Sequence, residues 1–277
     1  MCDTFLNKDI LDDLYKEKEK YCNGYLIIID IKDSTIRKNK KSIDWKIHTN
    51  IIYNGFLSLV SKIEKQYSDE KDLKKIVCKF TGDGGVVFFK SGIYTGNKEK
   101  DSLPNKDISI YIFNNVIDFI EEVKKSSEML KNIHIKTVIT YIRNVYLFKS
   151  SDNNTDIIGR GVDFSFRLEK FAEPTHLVVN EMFYESIKEM ATNYTGIKCN
   201  KMLQGWKEPQ LFYLISDIKF FESALGTIVP NPFSNDVNIE LFQWYIIDKK
   251  IREENNNNIN LGNDKKMNDK IIEYKKN

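Results

Sequence analysis

The sequence predicts an α+β fold: an antiparallel-rich sheet of ferredoxin-like order with helices packed on one face. Three observations carry that prediction. An apolar run, Tyr25-Leu-Ile-Ile-Ile-Asp30-Ile31, is followed by a long amphipathic stretch from Ser42 to about Tyr67. Two β-rich runs, Lys75 to Phe80 and Val86 to Lys90, then flank the turn Thr81-Gly-Asp-Gly-Gly85. A second helical stretch and further strands follow, so the order is strand, helix, hairpin, helix, strand, as in sheets whose connections cross one face.

Each element has its own signal. Residues 8–20 are charged, with Ile10, Leu11 and Leu14 near helical spacing, which predicts a helical arm over residues 1–20. A strand covers 24–31. Trp45, Ile47, Ile51, Ile52, Phe56, Leu59, Val60 and Ile63 recur at three- and four-residue steps, with Asp44 and Lys46 on the wet side, so a long helix packs on a sheet. Glycines in the 81–85 turn permit a hairpin. Residues 107–131 read as a helix, and 134–141 and 145–148 as two strands. The polar loop 149–155 leads to Asp156-Ile-Ile-Gly159 and a helix from Val162 to Phe171. Strands near 176–180, 197–203 and 210–215 bracket a helix at 181–190. These elements predict one domain over 21–215, a C-terminal extension over 216–250, and a disordered tail over 251–277, where few apolar residues offset ordering entropy.

Composition removes several classes of function. The 277 residues carry 42 Lys plus Arg against 40 Asp plus Glu, so no global basic field favours duplex nucleic acid, and any anion site is local. Cys2, Cys22, Cys78 and Cys199 form no C-x-x-C pair, which argues against structural zinc and a secreted disulfide framework. The three histidines, His48, His134 and His176, are scattered, and no G-x-x-x-x-G-K-[ST] loop occurs. The N-terminus lacks a basic segment before an apolar one, and no run approaches the ~18 apolar residues of a membrane span. The expectation is a soluble, cytoplasmic protein with neither nucleic acid nor membrane as a partner.

Two acids carry the chemistry. Asp30 ends a buried strand and Asp83 sits at a hairpin tip, and together they suit a divalent ion on a phosphorylated substrate, because Mg²⁺ takes hard oxygens and needs only one or two carboxylates beside phosphate and water. Carboxylates on neighbouring strand ends also bridge two ions roughly 3.5 to 4 Å apart. Ser34 and Thr35, in Ile31-Lys-Asp-Ser-Thr35, suit a backbone turn wrapped around phosphate. Taken singly, Asp30 could merely end a strand and Asp83 merely favour a turn.

These residues resemble the class III nucleotide cyclases. Asp30-Ile31-Lys32-Asp33-Ser34-Thr35 is similar to that family's first pattern, and Lys79-Phe80-Thr81-Gly82-Asp83-Gly84 to its second. Asp156-Ile-Ile-Gly159-Arg-Gly-Val162-Asp163, with Arg167 four residues on, is similar to its third. Gln204-Gly205 and Phe212-Tyr213 echo its closing strand, so the resemblance spans about residues 21 to 215. It implies a head-to-tail homodimer with composite sites for a nucleoside triphosphate. One protomer would bring Asp30, the Ile31 carbonyl and Asp83 to two Mn²⁺ or Mg²⁺ ions. The other would bring Lys79 and Asp156 to the base and Arg167 to the phosphates, where a guanidinium pairs bidentately.

Departures from the pattern shape the rest. Asp163 stands where the family has a ribose-orienting asparagine; four residues before Arg167, it could tether the guanidinium instead. Gln204 replaces a phosphate-binding lysine, with Lys207 three residues on as a substitute. Lys79 and Asp156 fit adenine and favour ATP. Bulky Phe164 and Phe166 before Arg167 look instead like the stand-alone bacterial Pycsar enzymes, which make cyclic UMP or cyclic CMP for a separate effector in antiphage defence. Tyr53 is the candidate wedge that would exclude a purine. The expectation is a pyrimidine nucleotide cyclase; the alternatives are an ATP cyclase, a catalytically silent dimerisation or nucleotide-sensing module, and an RNA-binding ferredoxin-like domain, for which no basic aromatic pattern is visible.

Overall fold

The computed structural model describes residues 21–31, 43–67, 73–80, 82–93, 103–126, 130, 135–149, 155–172, 176–190 and 194–217. The helical arm over 1–20, the phosphate-turn residues Ser34 and Thr35, and the segments 218–250 and 251–277 lie outside the described residues. The chain divides into two compact units, residues 1–192 and 193–277, and the single domain expected over 21–215 spans both.

The first unit is built on β1 (Tyr21–Ile31), α1 (Ile43–Gln66), β2 (Lys74–Phe80), β3 (Gly84–Ile93), α2 (Lys106–Lys125), β4 (Ile135–Lys149), β5 (Thr155–Ile158), α3 (Arg160–Leu168), β6 (Leu177–Asn180) and α4 (Glu181–Ile187). Its strands lie in the order β2-β3-β1-β4-β6, with β5 paired to β4. All pairings are antiparallel except that of β4 with β6. This is the predicted α+β fold with an antiparallel-rich sheet. In the second unit β7 (Tyr194–Lys201) and β8 (Gln210–Asp217) form an antiparallel ladder, earlier in the chain for β7 than the predicted 197–203.

Side-chain alternation assigns the helices to faces. A Cβ on Gly85 would lie 2.9 Å from the Phe56 ring, so Gly85 and its same-parity neighbours Val87 and Phe89 face α1. Tyr25, paired with Phe89 and Tyr141, faces the same way: its hydroxyl donates to the Asn105 carbonyl at 3.1 Å at the cap of α2, and its ring meets Phe183 of α4 edge-on. Helices α1, α2 and α4 therefore form the predicted layer. Helix α3 lies apart from it. Thr140 pairs with Leu26, of opposite parity to Tyr25, and shares a 2.7 Å hydrogen bond with Ser165 of α3, which puts α3 on the other face.

The buried stripe of α1 is His48, Ile52, Phe56, Leu59, Val60 and Ile63, each at most 8% exposed. Ile47, counted in that stripe by periodicity, lies off it and is exposed. Fully buried Phe56 anchors the helix; its loss to alanine would cost about 3–5 kcal/mol. Asn180 ties β4, β6 and α4 together, accepting from the Tyr141 and Phe183 amides and donating to the Tyr141 carbonyl at 2.7 Å.

Three predicted boundaries change. Helix α2 ends at Lys125 rather than 131, because the Ser126 amide and hydroxyl both turn back onto the Val123 carbonyl and close the last turn. The two strands predicted at 134–141 and 145–148 are one strand, β4, in which Asn144 adopts φ 56° and its amide donates to Asn23. Asparagine tolerates this left-handed conformation, so the strand bends instead of ending. The predicted helix 162–171 is α3 followed by a 3₁₀ turn at Glu169–Phe171. Strand β5 starts at the end of the predicted polar loop 149–155 and runs into 156–159, where the sequence predicts no element, since four residues carry no period of their own.

The described cysteines Cys22, Cys78 and Cys199 form no disulfide, and burial pushes the Cys22 thiol up to about 11 and that of Cys199 to about 12. Among the described residues no helix is long and apolar enough to cross a membrane.

Candidate functional site

The 82–84 turn is what brings the two acids together. Gly82 adopts φ 86°, a left-handed conformation that L side chains rarely take, and a Cβ at Gly84 would lie 2.7 Å from the Ile29 carbonyl. Glycine at both positions lets the hairpin close onto β1, where Gly84 pairs with Asp30. The Ile31 amide then donates to the Asp83 carbonyl at 3.0 Å, fixing the hairpin tip at the strand end. Asp30 feels the Asp83 carboxylate directly.

Two further residues complete this cluster. Lys136 on β4 lies opposite Asp30 in the ladder, with its ammonium 3.6 Å from the Asp30 carboxylate and 3.9 Å from that of Glu169. Burial raises the Asp30 carboxyl above the ordinary carboxylate range and Asp83 adds to the rise, while Lys136, the Ile31 amide and a hydrogen bond from Glu169 oppose it. Burial also raises Glu169, and the Asp30 charge pushes the same way. The contact between the two carboxyls lowers the proton affinity of Asp30 and raises that of Glu169, so it favours Glu169 as the donor of the pair.

Half-buried carboxyls with raised proton affinity are short of positive charge, so the donor set fits a hard divalent cation. Among the described residues no three His, Cys, Asp or Glu side chains are grouped to hold a metal by themselves. Two carboxylates with phosphate and water filling the remaining positions satisfy Mg²⁺ or Mn²⁺.

A second constellation lies on the α3 face. Lys79 shares parity with Val86 and Ile28, opposite to Gly85, so it points away from α1. Its ammonium donates to the Asp156 carboxylate at 2.5 Å, linking edge strand β2 to β5. Partial burial raises Asp156, but the Lys79 hydrogen bond, the Ile157 amide and the Lys79 charge outweigh it, and the carboxyl sits below its ordinary value. Asp30, of the same parity as Ile28, belongs to this face too.

The remaining predicted residues separate. Arg167 is half-buried on α3 and Asp163 is exposed one turn earlier, and the tether expected between them does not form; nor does Arg167 pair with Glu169. An exposed pair at this spacing is worth only about 0.3–0.5 kcal/mol, too little to impose a geometry, and the 3₁₀ turn swings Glu169 onto Asp30. Phe166, beside Arg167, is 46% exposed. Tyr53 does not join Lys79 and Asp156: it stacks on Phe80, ring centroids 4.9 Å apart, and Phe80 projects to the opposite face of β2 from Lys79. Lys207 is exposed in the β7–β8 connection of the second unit. Sequence reasoning missed Lys136 and Glu169 as partners of Asp30. No sequence signal marks Lys136, because its place depends on strand register, and none marks Glu169, because only the 3₁₀ turn after α3 brings it onto Asp30.

The sequence matches no protein-family model and no curated protein. Solved structures do match: the adenylyl cyclase CyaB from P. aeruginosa superposes with a TM-score of 0.53 at 19% identity, over 71% of this chain and 95% of that one. The fold is that of the adenylyl and guanylyl cyclase catalytic domains. The guanylyl cyclase Cya2 gives 0.51 at 11% identity, over 78% of this chain and 98% of its own. The guanylate cyclase domain of RhGC from Catenaria anguillulae, solved in complex with GTP, gives 0.50 at 18% identity over 71% and 97%. The fold implied by the motifs is thus the cyclase fold, and within it Asp30, Asp83, Lys79, Asp156 and Arg167 lie in one unit of the chain.

Proposed function

We propose that this protein is a nucleotide cyclase that converts UTP or CTP to its 3′,5′-cyclic monophosphate and pyrophosphate. The observation that carries this reading is the pinning of Asp83 to the end of β1 beside Asp30. Divalent metal held there by Asp30, the Ile31 carbonyl and Asp83 would lower the pKa of the ribose 3′-hydroxyl and neutralise phosphate charge. The hydroxyl oxygen bonds to the α-phosphorus, its proton passes to water, and the bond to the departing pyrophosphate breaks. Arg167, with no carboxylate partner among the described residues, is available for charge developing on the phosphoryl oxygens. Lys79 and Asp156 offer one donor and one acceptor to the edge of a base. Ser34, Thr35 and Lys207 are further candidates for the phosphates.

The site is shared in a homodimer in this reading, one chain giving the carboxylates and its partner Arg167 and the Lys79–Asp156 pair. Preference for a pyrimidine is supported by Phe166, the exposed aromatic next to Arg167 on the face that carries Lys79. In this reading the wedge is Phe166 rather than Tyr53, which stacks on Phe80. The aromatic setting of Arg167 also supports a role like that of the Pycsar enzymes, a cyclic pyrimidine nucleotide acting on a separate effector during phage infection. A second reading, ATP cyclisation, is favoured by one observation, the intact Lys79–Asp156 pair.

Separate incubations of the purified protein with Mn²⁺ and ATP, GTP, CTP or UTP, with products identified by mass spectrometry, decide between them. Cyclic UMP or cyclic CMP is expected. Cyclic AMP alone would replace the pyrimidine reading with the second one.

A further inference from the structure

A pocket of about 580 Å³ opens between α1 and the end of β2, on the face away from Lys79 and Asp156. That volume falls within the range of small-molecule sites. Its walls are Trp45, Tyr53, Phe56 and Phe80, with Gly82 at the hairpin end and Lys46 at the α1 end. Tyr53 is 38% exposed and Lys46 is exposed, so a ring and an ammonium are both open to a ligand.

The polar lining is what distinguishes this pocket from a gap in the core. The Thr49 hydroxyl, on the pocket wall, is buried and has no hydrogen-bond partner. Buried hydroxyls are nearly always paired, so an orphan in a residue that lines the cavity leaves a hydrogen bond that a ligand atom can complete once the side chain turns. Asn50, one residue on, adds an amide to the same wall. Flat aromatic faces beside a hydroxyl and an amide match a planar heterocycle that stacks and hydrogen-bonds along its edge, and base stacking on aromatic side chains tolerates any base. A cation at the rim matches an anionic group attached to that heterocycle.

We propose that this pocket is a second binding site, taking a nucleoside monophosphate with its base against Tyr53 and Phe80, an edge atom on Thr49, and its phosphate at Lys46. The site does not rest on the cyclase reading, since it uses neither Asp30 nor the Lys79–Asp156 pair. It does adjoin them: Gly82 lines the pocket and Asp83 is the next residue, so occupancy would hold the hairpin tip from behind.

Isothermal titration of the full chain with UMP and with AMP, in EDTA so that no divalent metal contributes, tests the assignment. Saturable binding of either nucleotide is expected, weakened about tenfold or more by Tyr53→Leu and unchanged by Lys79→Met. Thr49→Val, which removes only an unpaired hydroxyl, repeats the test should Tyr53→Leu fold poorly, and it too should weaken binding. Absence of saturable heat at millimolar nucleotide overturns the proposal. So does binding that Lys79→Met weakens as much as Tyr53→Leu does, because the ligand would then occupy the base-reading face.

Discussion

The amide of Ile31 donates to the carbonyl of Asp83 at 3.0 Å, and this one backbone bond holds a hairpin tip against a strand end. Its consequence is electrostatic. Two carboxylates are brought near one another at a half-buried position, where the Asp83 charge opposes ionisation of Asp30.

Replacing Asp30 with Asn should therefore separate stability from activity. Cyclase turnover should fall at least about 100-fold, since loss of a metal ligand costs no less than loss of its supporting partner. Without metal the variant should be more stable than wild type by about 0.5–2 kcal/mol, because a crowded, partly desolvated charge is gone. Thermal unfolding in EDTA beside a turnover assay measures both.

The pH dependence has a definite sign. The Glu169 carboxyl is raised in the folded chain, so its stabilising contribution is complete below the ordinary carboxylate range and is lost as pH rises through the raised folded value. Glu169→Gln keeps an amide donor for Asp30 and does not titrate. Metal-free wild type and Glu169→Gln should match in acid and diverge upward from the carboxylate range, the variant becoming the more stable. Urea melts at a series of pH values would refute this by showing a constant difference.

Complementation tests the shared site. Asp30→Ala and Arg167→Ala chains should each be inactive, whereas an equimolar mixture should recover about a quarter of the wild-type rate, as half the dimers form one intact site of two. A verified mixed dimer that stays silent would place the whole site within one chain.

Base choice should move without loss of fold. Lys79 and Asp156 form a half-exposed ion pair, so Lys79→Met should change stability by no more than about 1 kcal/mol. Phe166→Ala should raise kcat/KM for ATP relative to UTP by about tenfold or more, as expected when a bulky residue limits a base site. Competition between the two triphosphates reads the ratio directly.

The sequence carried the fold well where a period was long enough to count. Helix α1, twenty-four residues with an apolar stripe, was legible to within one residue at each end. Strand β5, four residues long, was not, and Asn144 concealed the continuity of β4 because a left-handed residue inside a strand looks like a turn. The site divides in the same way. Asp30 and Asp83 were legible because a strand end and a glycine turn are local signals. Lys136 was not, because only the β1–β4 register brings it opposite Asp30. The tether between Asp163 and Arg167 failed for the complementary reason, that helical spacing permits an ion pair without enforcing it.

The central claim, ring closure at the Asp30–Asp83 site with loss of pyrophosphate, is tested most directly by following UTP and CTP with Mn²⁺ and quantifying pyrophosphate and cyclic nucleotide together. Equal amounts of the two products from wild type, and neither from Asp30→Asn, is the predicted result. Release of orthophosphate instead, or product formation that survives Asp30→Asn unchanged, would contradict it.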